Sequence, residues 1–304
     1  MHLQRRHQRL HQNRNFRLSE PAGGSESGVS HVRFVLVETS HAGNVGAAAR
    51  AMKTMGLKQL VLVNPCEYKN YECYARASGA EEIVDAAAVY DTLSDAVADC
   101  TSVIGSSARL RSLQWPQLTA SQTAHRCCQT ASAGQVAVVF GRERSGLTND
   151  ELALCNYLLV IPSVPTFSSL NVAAAVQVVA YEIRKRFLAF ESTQAASVRS
   201  SLPSDSSNEN SYPEALLDSG STCVPDATAP VDDTDPLATH GQVEQLYEHF
   251  EAQLQQVGML DPGNPRLLMS RLRRMFGRAQ LRQSEVQIMR GYLSAVGKSL
   301  DEKR

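Results

Sequence analysis

Val139-Phe140-Gly141-Arg142-Glu143-Arg144-Ser145-Gly146-Leu147-Thr148, followed by Ser168-Ser169-Leu170-Asn171, decides the fold of this chain. Each half lies where an apolar run ends, where a parallel strand stops and a loop begins. An open α/β sheet holds its ligand in such loops. The second half opens a long apolar helix, Leu170 to about Phe190. The first mixes glycines, which let backbone approach a ligand, with charges that a buried turn would not accommodate. A third segment completes the set. The short apolar strand Val32–Val37 runs into Glu38-Thr39-Ser40-His41-Ala42-Gly43-Asn44-Val45-Gly46, then into a helix-like stretch ending at Gly56. A strand, a glycine-bearing turn and a helix N-terminus suit an anion. Gly43-x-x-Gly46 reads equally well as a tight strand-to-helix connection. The chain lacks G-x-G-x-x-G and G-x-x-x-x-G-K-[ST], so neither a dinucleotide fold nor a P-loop is supported.

Outward from these loops, further apolar runs predict strands at Leu60–Val63, Ser102–Gly105, Val136–Phe140 and Tyr157–Ile161, the last stopped by Pro162. Tyr71–Ser78 and Leu93–Ala98 read as helices, and Ala80–Val84 as a connector or strand. Alternation of this kind predicts an α/β fold with a parallel sheet. Residues 191–240 hold nine acids and one arginine with no hydrophobic period, which predicts a flexible acidic linker. From Gln242 helical spacing returns, with Val243, Leu246, Phe250, Leu254 and Val257 on one face and Gly258 as C-cap. A second helix follows Asn264-Pro265, with Leu267, Leu268, Leu272, Met275 and Phe276 on its apolar side. A third runs from about Ser284 to Leu300. Together they make a small helical module over 241–304. Its middle carries Arg266, Arg271, Arg273, Arg274, Arg278, Arg282 and Arg290 against Glu285 alone. In a chain of net charge −1, this local excess points to RNA phosphates, with Arg271, Arg273 and Arg274 as the chosen contacts. The alternative is an ordinary solvated helix face.

The chain has 304 residues, 43% of them hydrophobic, enough for one or two domains with a sizeable core. Its seven cysteines are scattered without C-x-x-C, which reads as free thiols in a reducing, cytoplasmic setting. No run is long enough to span a membrane. Residues 1–30 carry five arginines and no apolar core for a secretory signal, and read as a disordered basic tail.

Taken in order, the three segments resemble the motifs of the SPOUT superfamily of RNA methyltransferases, and most closely its TrmJ-type tRNA 2′-O-ribose methyltransferases. The residues that carry this are Glu38-Thr39-Ser40-His41-x-Gly43-Asn44-x-Gly46 with Ala49–Lys53, Phe140-Gly141-Arg142-Glu143-Arg144-x-Gly146-Leu147, and Ser168–Asn171. Gly105–Arg109 and Trp115-Pro116 add to it. The resemblance covers about residues 31–190, and 241–300 more loosely. It implies a SPOUT domain whose C-terminal part is threaded as a trefoil knot, a topology otherwise nearly absent from proteins. It also implies S-adenosylmethionine as cofactor, and a homodimer whose active site draws on both subunits. The implied reaction is 2′-O-methylation of cytidine or uridine 32 in the anticodon loop of tRNA. A SPOUT enzyme acting on rRNA or another tRNA position is the alternative, and a non-catalytic RNA-binding protein on the same fold is a third reading.

The family's catalytic and ribose-orienting positions fall on Asn44, Arg50, Glu143, Ser169 and Asn171. Its cofactor positions fall on Ser106, Ser107, Ala108, Gly141, Ile161, Ser168, Ser169 and Leu170. No metal is implied, because a sulfonium donor is already activated. Each residue also has a plainer reading. Asn44, Ser169 and Asn171 suit helix N-caps, Arg50 a surface ion pair, and Glu143 a pairing with its neighbours Arg142 and Arg144. His41 reads as a loop residue. Tyr71, Tyr74 and Trp115 read as base-stacking, core or dimer contacts.

Overall fold

The computed structural model describes residues 29–107, 115–130, 133–164, 166, 169–199, 235–261 and 268–301. Among the described residues, seven parallel strands form one sheet: β1 (Val32–Val37), β2 (Gln59–Val63), β3 (Ala88–Tyr90), β4 (Cys100–Ser106), β5 (Gln117–Leu118), β6 (Gln135–Phe140) and β7 (Tyr157–Leu159). Their order is β3-β2-β1-β6-β4-β7-β5. The alternation along β1 explains the layering. Val32, Phe34 and Leu36 face one apolar cluster, while Val35 and Val37 face another. Helices α1 (Ala42–Thr54), α2 (Tyr71–Ala77), α3 (Glu81–Ala86), α5 (Ala120–Gln129) and α7 (Val172–Arg199) cover the first face. Helices α4 (Leu93–Val97) and α6 (Asn149–Ala153) cover the second. Each fully buried Phe34- or Leu36-sized side chain contributes roughly 1.5–3 kcal/mol.

Local differences from the sequence expectations have physical causes. Most of the 80–84 stretch belongs to helix α3, which runs Glu81–Ala86 with Ala80 at its N-cap and Glu81 and Glu82 in its first turn. In the Gly43-x-x-Gly46 pair, Gly46 serves helix packing. A Cβ on Gly46 would stand 1.9 Å from the Cys73 carbonyl oxygen, so only glycine lets α2 lie this close to α1. Helix α7 continues to Arg199, past the boundary drawn at 190. The acidic stretch 200–234 and the tail 1–28 lie outside the described residues.

Three helices follow: α8 (His240–Gln256), α9 (Leu268–Ala279) and α10 (Gln283–Asp301). Leu246, Val286 and Leu293 form their core, and Phe276 of α9 stacks on Phe250 with ring centroids 5.4 Å apart. Gly258 takes φ +72 just beyond the end of α8. Met275, expected on the apolar side of α9, is half exposed. The module touches the sheet domain directly. The Gly241 N–H bonds the Ala98 carbonyl at 2.9 Å. A small cavity between the two parts is lined by Ser102, Asn156, His240, Glu244 and Arg273.

Candidate active site

A cleft of about 230 Å³ opens where β4, β6 and β7 end and α7 begins. This is where a parallel sheet places a ligand. Among its lining residues are Ser106, Ser107, Gly141, Ile161, Ser169 and Leu170, all expected to meet a cofactor. Ala108 and Ser168, expected with them, lie outside the described residues. The floor is apolar, with Phe140, Leu147, Leu159 and Val172.

The loop after β6 is fixed from three sides. At Gly141 an added Cβ would lie 2.3 Å from the carbonyl carbon of Gly146, so the loop closes on itself only with glycine there. Gly146 sits at φ +69, and the residues Arg142 and Gly146 bridge each other through their backbones. The Arg142 guanidinium is gripped by two carboxylates. Nε and Nη2 donate to Glu38 at 2.7 and 2.5 Å, and Nη1 and Nη2 donate to Glu151 at 2.9 and 3.0 Å. Both contacts are two-point fork geometry, which suits arginine and not lysine. Arg142 holds the Glu38 carboxyl below its ordinary range. Glu38 adopts φ +47, which few non-glycine residues take.

Glu143 therefore does not pair with either flanking arginine. Its Oε2 accepts from the Ser40 N–H (3.3 Å) and hydroxyl (3.0 Å), and its Oε1 accepts from Asn44 Nδ2 at 3.0 Å. The Asn44 Oδ1 accepts in turn from Asn171 Nδ2 at 3.0 Å. The Asn171 Oδ1 accepts from the Ala173 N–H at the start of α7. A polar relay thus runs Ser40, Glu143, Asn44, Asn171 and joins the ends of β1 and β6 to α7. Burial opposes ionisation of Glu143. Hydrogen bonds from Asn44 and Ser40 outweigh it and hold the carboxyl below its ordinary value. Glu143 is therefore a fixed carboxylate that orients Asn44, and a weak base. Asn44 is 8% exposed and sits inside the first turn of α1, where the N-cap position belongs to His41. Asn171 caps α7 and serves the relay at once. Each amide keeps one N–H beyond these bonds for a substrate oxygen.

Comparison with known proteins matches this architecture to one family. The family model described as SpoU rRNA Methylase family matches residues 31–181, and that described as tRNA methyltransferase TrmJ, C-terminal domain, matches 241–304. The chain is 43% identical over 280 residues to tRNA (cytidine/uridine/adenosine-2′-O-)-methyltransferase TrmJ of Pseudomonas aeruginosa (strain UCBPP-PA14), covering 91% of this chain and 98% of that one. It is 41% identical over 275 residues to tRNA (cytidine/uridine-2′-O-)-methyltransferase TrmJ of Cronobacter sakazakii (strain ATCC BAA-894), covering 90% and 99%. The crystal structure of TrmJ from Z. mobilis ZM4 superposes with TM-score 0.66 at 28% identity, covering 87% of this chain and 98% of that one. A probable methylase family protein from Haemophilus influenzae Rd KW20 gives 0.53 at 39%, covering 91% and 100%.

The chain belongs to the TrmJ family of SpoU methylases. Within this TrmJ-family fold, Asn44, Glu143 and Asn171 come together, and Glu143 and Ser169 border the cleft. Arg50 does not join them. It lies six residues beyond Asn44 on α1, exposed, and has no ion-pair or hydrogen-bond partner among the described residues. That spacing is about 9 Å along a helix and a third of a turn round it. Arg273, expected on RNA, is instead turned inward. Its guanidinium pairs with Glu244 and lies 4.6 Å from the Tyr247 ring centroid, so it packs the module. Arg271 is exposed and Arg274 half-buried, and neither has such a partner among the described residues. Tyr74 bonds Asp85, and the Trp115 indole donates to the Cys155 carbonyl, so both are structural. Tyr71 is 90% exposed. Sequence reasoning assigned no role to Ser40 or Arg142. Ser40 lies three residues past the end of the apolar strand β1, but its partner lies 103 residues away. Six described cysteines are free, and no described group of His, Cys, Asp or Glu is placed to hold a metal. No described helix is long and apolar enough to cross a membrane.

Proposed function

We propose that this chain methylates the ribose 2′-oxygen of cytidine or uridine 32 in the tRNA anticodon loop, using S-adenosylmethionine held in the cleft. The observation that carries the reading is the Ser40–Glu143–Asn44–Asn171 relay bordering a cleft built from glycine and small polar residues. The residues present fit that cofactor. The glycine-tight loop exposes backbone for adenine hydrogen bonds, and the apolar floor suits a flat base. The cofactor, when bound, supplies a methyl group already activated on a sulfonium.

The chain's own part is alignment and proton handling. Asn44 and Asn171 hold the ribose hydroxyls through their remaining N–H groups. Arg50 clamps the phosphate beside the target. A guanidinium stays protonated in proteins and is no base, so the hydroxyl proton leaves to phosphate or water. The knotted threading and a homodimer belong to the same reading. The separation of Arg50 from the relay within one chain suits a site completed by a second subunit. Exposed Leu170, Val178 and Tyr181 offer apolar surface for that contact. Arg271, Arg274 and Arg278 supply phosphate contacts on the module.

Nucleoside mass mapping of tRNA from cells with and without the protein tests this. Loss of 2′-O-methylation at position 32 is the expected result. An unchanged position 32 with a lost mark on rRNA or elsewhere in tRNA would favour the alternative target. Titration of S-adenosylmethionine in EDTA should saturate, and preferential NAD binding would sink the assignment.

A further inference from the structure

The tip of the loop after β6 carries three consecutive charges, and two of them are engaged. Arg142 is held by Glu38 and Glu151, and Glu143 by Ser40 and Asn44. Arg144 is exposed, lines the same cleft, and has no hydrogen-bond or ion-pair partner among the described residues. A free arginine on a mobile loop is an ordinary solvated side chain. This one rises from backbone pinned by the Gly141 contact, the Arg142–Gly146 bridge and the two ion pairs. Its Cα is fixed before any ligand arrives, so little backbone entropy is lost when the guanidinium closes on a partner.

The charge selects the partner. A guanidinium repels a sulfonium and attracts an anion, with fork geometry matched to phosphate or carboxylate. Arg144 follows directly on Glu143, whose carboxylate holds the relay, so it stands where the cleft meets the acceptor side. We propose that Arg144 takes a backbone phosphate of the incoming RNA next to the target nucleotide, and so sets the register of the acceptor strand over the relay. This rests on the reading of the chain as an RNA 2′-O-methyltransferase. It adds a phosphate contact on the loop itself, separate from Arg50 and from the helical module.

The test compares wild type, Arg144→Ala and Arg144→Lys at several salt concentrations, with tRNA as acceptor. Arg144→Ala should raise KM for tRNA about tenfold, leave kcat within about twofold, and lower the slope of log affinity against log salt by about one unit. Arg144→Lys should recover part of the loss, because a point charge replaces a fork. Binding of S-adenosylhomocysteine and of methylthioadenosine should be unchanged. An unaltered KM and salt slope would overturn the proposal. So would weakened binding of S-adenosylhomocysteine with methylthioadenosine intact, since Arg144 would then hold the cofactor's carboxylate. A change of oligomeric state in sedimentation would overturn it too, as a subunit contact. Wild-type protein that methylates no RNA would instead overturn the enzymatic reading, and this proposal with it.

Discussion

At the scale of single residues, the relay makes distinguishable claims. Ser40 gives Glu143 two of the donors on its carboxylate, one of them the hydroxyl. Ser40→Ala removes that hydroxyl bond and leaves the backbone N–H. Turnover should fall about threefold to tenfold, with Ser40→Thr close to wild type. Equal turnover in the alanine variant would remove Ser40 from the relay. Asn44→Asp should be far more damaging. It replaces an amide donor with a second carboxylate facing Glu143, and turnover should drop at least a hundredfold while cofactor binding stays near normal. What sequence could tell about this site follows from these residues. Asn44, Glu143 and Asn171 were legible only because three motifs occurred in order. Spacing alone left each as a cap or a surface pair. Asn171 did prove to be a cap as well as a relay member. Ser40 and Arg142 were not assigned because each has a partner about a hundred residues away, Glu143 for Ser40 and Glu38 for Arg142.

At the scale of elements, the loop after β6 is the most constrained piece. Gly141→Ala should cost several kcal/mol and abolish cofactor binding, because the methyl group meets backbone that cannot give way. Calorimetric unfolding and cofactor titration would check both, and a folded, binding-competent variant would refute the close-contact argument. Acid should act on the same loop. The Glu38 and Glu143 carboxyls are held below their ordinary values by Arg142 and by the donors of Asn44 and Ser40. A depressed carboxyl stabilises the fold above its unfolded pKa, about 4.3 for glutamate. That contribution is lost as pH falls through the lower, folded value. Loop order followed by amide exchange should therefore fall in that acid window and hold steady above it. Element recognition from sequence succeeded where apolar runs were long. It missed β3 and β5, which have three and two residues and little buried surface. It also missed α5 and α6, which carry few apolar residues. Their capping boxes, Thr119 with Gln122 and Thr148 with Glu151, were readable signals.

At the scale of the whole molecule, the helical module packs directly on the sheet domain. His240 is buried at the contact, with Nε2 3.7 Å from Glu244 and without a hydrogen bond. Burial lowers its pKa, with Arg273 acting in the same sense and Glu244 against it. A histidine with a depressed folded pKa stays neutral when docked. Below its ordinary value of about 6.5 the released state takes up a proton that the docked state refuses. Docking should thus weaken from pH 7.5 to pH 5.5. Limited proteolysis of the 235–261 segment would read this directly, and His240→Phe should flatten the dependence. Equal protection at both pH values would refute it. His31, buried and lowered in the same sense, lies in the sheet domain, so a probe on the module separates the two. The relay has one more consequence. Its bonds join residues 99, 103 and 127 positions apart, and it includes no local contact between its members. No partly folded or partly synthesised chain holds even two of its links until β6 has taken its place, nor all of them until α7 has started. Activity regained on refolding should therefore follow the slowest phase that fluorescence detects, and never precede it.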